Sequence, residues 1–423
     1  MLNLKKYFLL IILIPGSLLS QEINKLTLQQ VYEMSLKNYP LIKQKDLVKQ
    51  TSEISIENLQ KGFLPQVTIN GQATYQSDVI KFAISLPGFP INSLDKDQYK
   101  LYADVNQQIY DGGLRKQQKA SEQLNAAVED QKIEVELYKL KERINQVYLS
   151  ILYLDEQLKQ VELAKTDIQT GIKSVNAQVQ NGTALKSNLN TLKAELLKAD
   201  QRVTEVKASK KGLVDALSVF LGQPLNENIE LEKPAMGATV SEEIVRPELK
   251  LFSNQTDLIA QQDKLITSKN LPSAGLFVQG GFGKPGLNPL KNEFDLYYMG
   301  GVRFIWALGG LYTKKKEKEL VEVNKKFVDT QKETFLLNTN TQLKQQKAEI
   351  DKLSQLVTSD NEIIVLRKSV TDAAKAQLEN GVITANDYIK EINAEDQARQ
   401  SLITHQLLLL QAQINYQTIS GKQ

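Results

Sequence analysis

The sequence predicts a mainly α chain with a membrane β-barrel part, built from a helix–hairpin–helix–helix repeat that occurs twice. Three observations predict it. Short sequence signatures recur at a nearly constant offset. Two very long runs carry helical periodicity with almost no glycine or proline. Four shorter segments alternate apolar and polar residues with the period of a strand.

The duplication is read from paired signatures. Asn38-Tyr39-Pro40-Leu41 resembles Val245-Arg246-Pro247-Glu248, and Leu64-Pro65 resembles Leu271-Pro272, with both proline pairs 207 residues apart. Gly112-Gly113-Leu114 returns as Gly309-Gly310-Leu311 at a spacing of 197. Asn181-Gly182 returns as Asn380-Gly381, and Leu221-Gly222 corresponds to Ser420-Gly421, both at 199. The reading is a first repeat over 21–222, a linker over 223–245 and a second repeat over 246–423. The drop from 207 to 197 falls between Pro65 and Gly112, so the first repeat carries extra residues there, in a loop.

Residues 1–20 read as a secretory signal peptide. Lys5 and Lys6 form a basic start, Tyr7 to Leu19 an apolar stretch, and Ser20 a small residue before Gln21. The apolar stretch is short for a membrane span, although an N-terminal anchor is the alternative. No cysteine follows it, so a lipoprotein anchor is excluded.

Each repeat opens with a helical pattern, Thr27 to Gln60 in the first, interrupted at Pro40. Gly112 to Gln180 is a single helical run holding only Gly171 inside, roughly 100 Å long at 1.5 Å per residue. From Leu137 to Val179 its apolar residues step by 3 and 4, a heptad seam with Lys165 at the one skipped position. Gly309 to Glu379 is the counterpart, with a weaker seam through Leu343, Ile350, Leu353, Val357 and Ile364. Asn181-Gly182 and Asn380-Gly381 are helix-ending turns. Shorter helices follow, Ala184 to Phe220 and Thr384 to Ile419. Heptads alone also fit a soluble coiled-coil scaffold or chaperone.

The strands argue otherwise. They are predicted at 66–76, 99–110, 275–283 and 294–306. One face of each is apolar, as in Phe294, Leu296, Tyr298, Val302, Phe304 and Trp306, and the other polar. This fits an outer-membrane barrel, and also one face of a soluble sandwich. Four strands can neither close a barrel nor shield both edges, so other copies must complete the sheet. Three copies give twelve strands. Long loops, Ser77 to Gln98 with Pro87-Gly88-Phe89-Pro90, and Lys284 to Glu293, belong on the outer side of such a barrel. Lys100, Asp104, Asp295 and Arg303 fall on the polar faces, as pore-lumen charges that three-fold symmetry would make into rings, or as a merely hydrated wall of cancelling charge.

The totals exclude several other functions. Among 423 residues there are no cysteines and one histidine, His405. Thiolate chemistry, disulfides and multi-histidine metal sites are therefore out. A net charge of +3 argues against nucleic acid as a partner. No P-loop, zinc-protease or serine-hydrolase motif occurs, which counts against a cell-wall enzyme, and no cofactor is expected. A mean hydropathy of −0.32 reads as soluble at face value.

In the doubling and order of its elements the chain resembles the TolC family of outer-membrane efflux and secretion ducts. The specific elements are Leu64-Pro65 and Leu271-Pro272 before the outgoing strands, Ile109-Tyr110-Asp111-Gly112-Gly113 and Leu308-Gly309-Gly310 at re-entry, and the Gly182 and Gly381 turns. The resemblance implies a homotrimer with a twelve-stranded barrel in the outer-membrane lipid of a Gram-negative bacterium. A twelve-helix barrel would continue it into the periplasm. It implies a passive duct, not an enzyme, engaged by a periplasmic adaptor (membrane fusion) protein and an inner-membrane pump of RND or ABC type. Asn181, Gly182, Asn380 and Gly381 would be the tip turns where the adaptor docks. Asp387, six residues past Gly381, stands where the family often has a gate aspartate. Its first-repeat counterpart is Asn188. Lys390 replaces a second aspartate, and Val179 and Leu378 stand where many members carry tyrosine. An ionic latch among Asp387, Lys390 and Lys186 would substitute, the alternative being solvated charges on a helix face.

Overall fold

The computed structural model describes residues 25–80, 93–235 and 243–422. The proposed signal peptide, Pro87-Gly88-Phe89-Pro90 and part of the linker lie outside them. In chain order the elements are β1 (Lys25–Leu26), α1 (Leu28–Asn38), α2 (Lys43–Lys61), β2 (Gln66–Tyr75), β3 (Asp97–Tyr110), α3 (Leu114–Gln180) and α4 (Lys186–Leu221). They continue with β4 (Glu230–Leu231), α5 (Pro247–Lys269), β5 (Ser273–Lys284), β6 (Asp295–Ile305), α6 (Gly310–Glu379) and α7 (Ala385–Ser420). The interruption expected at Pro40 is a 3-10 turn over Pro40–Ile42 that separates α1 from α2. No described helix is long and apolar enough to cross a membrane.

Two compact units emerge. Of the described residues, one combines 39–80, 93–142, 243–348 and 415–422. Its centre is a four-stranded antiparallel sheet in the order β2-β3-β5-β6. The register places Val67, Val105, Val278 and Gly300 in one row, and Gly71, Leu101, Phe282 and Leu296 in another. The polar rows lie between them, such as Thr68, Asp104, Gln279 and Met299. Alternation in the sequence therefore becomes two chemically distinct faces. Among the described residues nothing covers the apolar face: Leu296, Tyr298 and Val302 are 77%, 84% and 72% exposed.

One strand departs from simple alternation. The register jumps between Gln108 and Tyr110, so Ile109 is an extra residue in β3. Tyr110 consequently pairs with Ala274, and through it shares a row with Phe304 on the apolar face. Strict period-two counting puts Tyr110 with Gln108 on the polar face. The bulge overturns that, because an inserted residue flips every side chain beyond it.

The strands are tied to their helices at the re-entry points. The Asp111 carboxylate accepts from the backbone N–H of Gly113 and of Arg115, satisfying two free donors at the start of α3. The Arg115 guanidinium lies 4.5 Å from the centre of the Phe63 ring. In the second repeat the Trp306 indole N–H donates to the Asn270 carbonyl at 3.2 Å. At the opposite end of the sheet the two hairpin loops are joined, since Lys284 Nζ pairs with Asp95 at 2.5 Å and the Asp95 N–H donates to Asn292 at 3.1 Å.

Of the described residues, the other unit combines 25–38, 143–235 and 349–414. It holds a short parallel pair, β1 with β4, which sequence periodicity does not predict. Two-residue strands are too short for any alternation to register. The fully buried Tyr148 fixes this pair, its hydroxyl lying 2.9 Å from the Leu26 carbonyl and 2.7 Å from the Glu232 carbonyl. Desolvation raises the pKa of this phenol. Tyr148→Phe leaves the carbonyls short of their donor and is expected to cost about 1–3 kcal/mol, read as a lower urea midpoint.

Candidate functional site

Two regions collect the candidate residues, one in each unit. The first is the pair of helix-turn-helix tips. α3 ends at Asn181-Gly182 and α6 at Asn380-Gly381, and both glycines are left-handed, with φ of 73° and 71°. At the first tip the Thr183 N–H reaches the Gln178 carbonyl at 2.8 Å and the Gly182 N–H reaches Val179 at 3.1 Å. At the second, Val382 and Gly381 donate to Gln377 and Leu378 at 2.8 and 3.1 Å. These are two Schellman caps, closed by the one residue type that adopts this φ without strain. The repeated Asn-Gly thus makes the same turn twice.

The tips also hold each other. The Gln178 amide donates to the Leu378 carbonyl at 2.7 Å, so a side chain of α3 caps the end of α6. Beneath them a core gathers Ile168, Val175, Leu189, Leu192, Leu378, Tyr388 and Ile392. Tyr388 is its keystone at 1% exposure. Burial pushes its pKa up to about 12. Gly171 lies against it, since a Cβ there would come within 3.0 Å of the Tyr388 ring. That explains the only glycine inside α3. Beside Tyr388 opens a cleft of about 190 Å³ lined by both signs of charge, including Asp167, Lys375, Glu395 and Arg399. Arg399 is paired with Glu395 at 2.5 Å.

Asp387 sits at the exposed start of α7. Its carboxylate accepts from the Thr384 hydroxyl at 2.7 Å and the Thr384 N–H at 3.1 Å, and the Asp387 N–H donates back to that hydroxyl at 3.2 Å. This is a reciprocal capping box. Within the chain, then, Asp387 closes its own helix, and neither Lys390 nor Lys186 makes an ion pair among the described residues. The Thr384 hydroxyl, then its N–H, hold the Asp387 pKa below its ordinary 3.8, with a smaller contribution from Lys390. A lowered carboxylate pKa means the charge and the cap persist above it and are lost only as pH falls through it. Asn188 occupies the first turn of α4, which carries no acidic residue. Thr384→Ala removes the cap but keeps the charge, and should cost about 1 kcal/mol.

The second region is the polar face of the sheet. Lys100 and Asp295 both pair with Gly283, so they flank one glycine in a single row near the loops. Nearer the helices, Arg303 Nη1 lies 3.4 Å from Asn106 Oδ1, and Asn106 Nδ2 donates to Asp104 at 2.5 Å. The Arg303 guanidinium lies over the Phe277 ring, 4.7 Å from its centre. The four candidate charges therefore form two groups along the face. His405 is placed elsewhere, its Nδ1 2.6 Å from Asp360 Oδ2.

A sheet open at both edges among the described residues, two tips of like turn geometry and the helix–hairpin–helix–helix order together define the TolC-like fold. The comparison with solved structures agrees. The outer membrane protein VceC from Vibrio cholerae matches with a TM-score of 0.65 at 13% identity, over 93% of this chain and 96% of that one. CusC matches with a TM-score of 0.65 at 14% identity, over 94% and 92%. The MtrE outer membrane channel of Neisseria gonorrhoeae, solved in its open state, matches at 0.64 and 13%, over 93% and 89%. No protein-family model and no curated protein matches the sequence.

Proposed function

We propose that the chain is one third of a passive trimeric channel in the outer membrane of a Gram-negative bacterium. It carries substrates onward from a tripartite efflux pump or type I secretion system. The observation that carries this reading is the four-stranded sheet. Among the described residues its apolar face is uncovered, and its outer strands β2 and β6 each have one unpaired edge. An edge of free N–H and C=O groups beside a bilayer is untenable unless another strand pairs with it. Three copies edge to edge close a twelve-stranded barrel. The fold shared with VceC, CusC and MtrE supports the same assembly.

In this reading the tip turns at Asn181, Gly182, Asn380 and Gly381 receive a periplasmic adaptor, which brings an inner-membrane pump. Three copies of Asp387 ring the periplasmic mouth. The polar strand face, with Lys100, Asp104, Asp295 and Arg303, lines the lumen. Fractionation tests the assembly: a heat-resistant trimer should be recovered from the outer membrane in detergent. A monomer in the soluble periplasm would instead support a coiled-coil scaffold.

The gate has its own test in planar bilayers. Asp387→Ala should raise single-channel conductance and weaken cation preference, while Thr384→Ala, which spares the charge, should leave the preference intact. Because the Thr384 hydrogen bonds lower the Asp387 pKa, cation preference should hold from neutral pH down to near 3.8 and fade below it. Unchanged conductance and preference in Asp387→Ala would remove Asp387 from the gate.

A further inference from the structure

We propose that the strand–helix junctions form a basic collar that binds anionic phospholipid headgroups of the leaflet facing the helices, an inference that rests on the barrel reading above. The observation is a charge imbalance. The two helical turns abutting the strands are the first seven residues of α3 and α6 and the last seven of α2 and α5. With the short connections to the strands they hold nine basic side chains against three acidic ones, Glu57, Asp111 and Asp263. The loop end of the same sheet differs. Its described residues, 76–80, 93–100 and 284–295, carry five carboxylates against four lysines.

Local stability does not explain the collar. α3 and α6 begin there, and a helix start carries partial positive charge that favours acids and disfavours lysine. Yet neither helix has an acidic residue in its first turn, and α6 places Lys314, Lys315 and Lys316 within its first two turns. Intramolecular pairing does not explain it either. Arg115 pairs with Asp111 and Lys316 with Glu319, but Lys61, Lys116, Lys119, Lys264, Lys269, Lys314 and Lys315 make no ion pair among the described residues. Three consecutive lysines advance by about 100° each, so they span about 200° of the helix surface, and no orientation of α6 hides all three.

Position supplies the partner. The collar directly follows the apolar face, where Tyr110 and Phe304 end the strands with aromatic rings and Trp306 follows β6, as aromatics do at a membrane interface. Lysines just beyond that level reach the phosphates while their methylene stems stay against the apolar boundary. Basic clusters next to a membrane attract anionic lipid and are weakened by salt.

The experiment reconstitutes the full chain in phosphatidylcholine vesicles containing trace spin-labelled phosphatidylcholine or phosphatidylglycerol. The motionally restricted fraction of each label is measured by electron paramagnetic resonance. The expected result is about fivefold preference for phosphatidylglycerol at low salt, falling towards parity at high salt. The triple variant Lys314→Gln/Lys315→Gln/Lys316→Gln should lose most of that preference. The pair Lys325→Gln/Lys326→Gln, farther along α6, should keep it. Equal restriction of both labels, or a preference untouched by the triple variant, overturns the collar. If neither label shows a restricted fraction, the strands are not in the bilayer, and the barrel reading fails with it.

Discussion

Gly281→Ala is expected to abolish assembly of the proposed channel, whereas Gly280→Ala leaves it intact. The two glycines are neighbours in β5 but point to opposite faces. A Cβ on Gly281 would lie 2.4 Å from Tyr102 Cβ, 2.5 Å from the Leu101 carbonyl and 2.7 Å from Tyr102 Cα. Two of these are backbone atoms of the paired strand, so no rotamer change relieves the clash. β3 and β5 are the central pair of the sheet, and separating them loses the ladder that joins the two hairpins. The cost should exceed about 3 kcal/mol, the usual upper end for overpacking, because the backbone itself must move. A Cβ on Gly280 meets only the Tyr297 carbonyl, at 3.9 Å, which is ordinary contact. Yield of the heat-resistant oligomer measures the difference. Equal yield from both variants would show that β3 and β5 are not packed this closely.

Val278→Arg is the second large effect, to be compared with Gln279→Arg. Val278 lies at the middle of the apolar face, in the row of Val67, Val105 and Gly300. If that face meets lipid, arginine there costs about 2–4 kcal/mol per chain, because its charge is held near the bilayer midplane. Gln279 lies on the polar face in register with Asp104. Arginine there stays hydrated beside a carboxylate and should cost little, altering ion selectivity instead. Urea midpoints of the two variants in lipid vesicles make the comparison. Similar small costs for both would mean that the apolar face packs on something other than hydrocarbon.

Much of this was legible in the sequence, for reasons that differ by element. The strands declared themselves because a sheet with one apolar and one polar face forces strict alternation, and the observed β2 and β3 lie within two residues of the expected bounds. The turns were legible because few residues besides glycine tolerate the φ seen at Gly182 and Gly381. The bulge was not: Ile109 and Tyr110 continue the alternation in sequence, and only the partner strand reveals the extra residue. The cross-tip bond from Gln178 joins residues 200 apart, with no local pattern to betray it. Two signals were present but carried another meaning. Thr384 and Asp387 have capping-box spacing, and the structure assigns the carboxylate to that cap within the chain. Gly171, alone inside a 67-residue helix, marks the close approach of Tyr388.

The absence of cysteine from the sequence allows the most direct test of the central claim, that the sheet is a lipid-embedded wall of a water-filled pore. Single cysteines would be placed in turn at positions 296–302 of β6 and exposed to a charged, membrane-impermeant maleimide in intact outer membranes. Alternation is expected: Tyr297, Met299 and Gly301 positions react from the lumen, while Leu296, Tyr298, Gly300 and Val302 positions are shielded by lipid. Uniform reaction along β6 would contradict it.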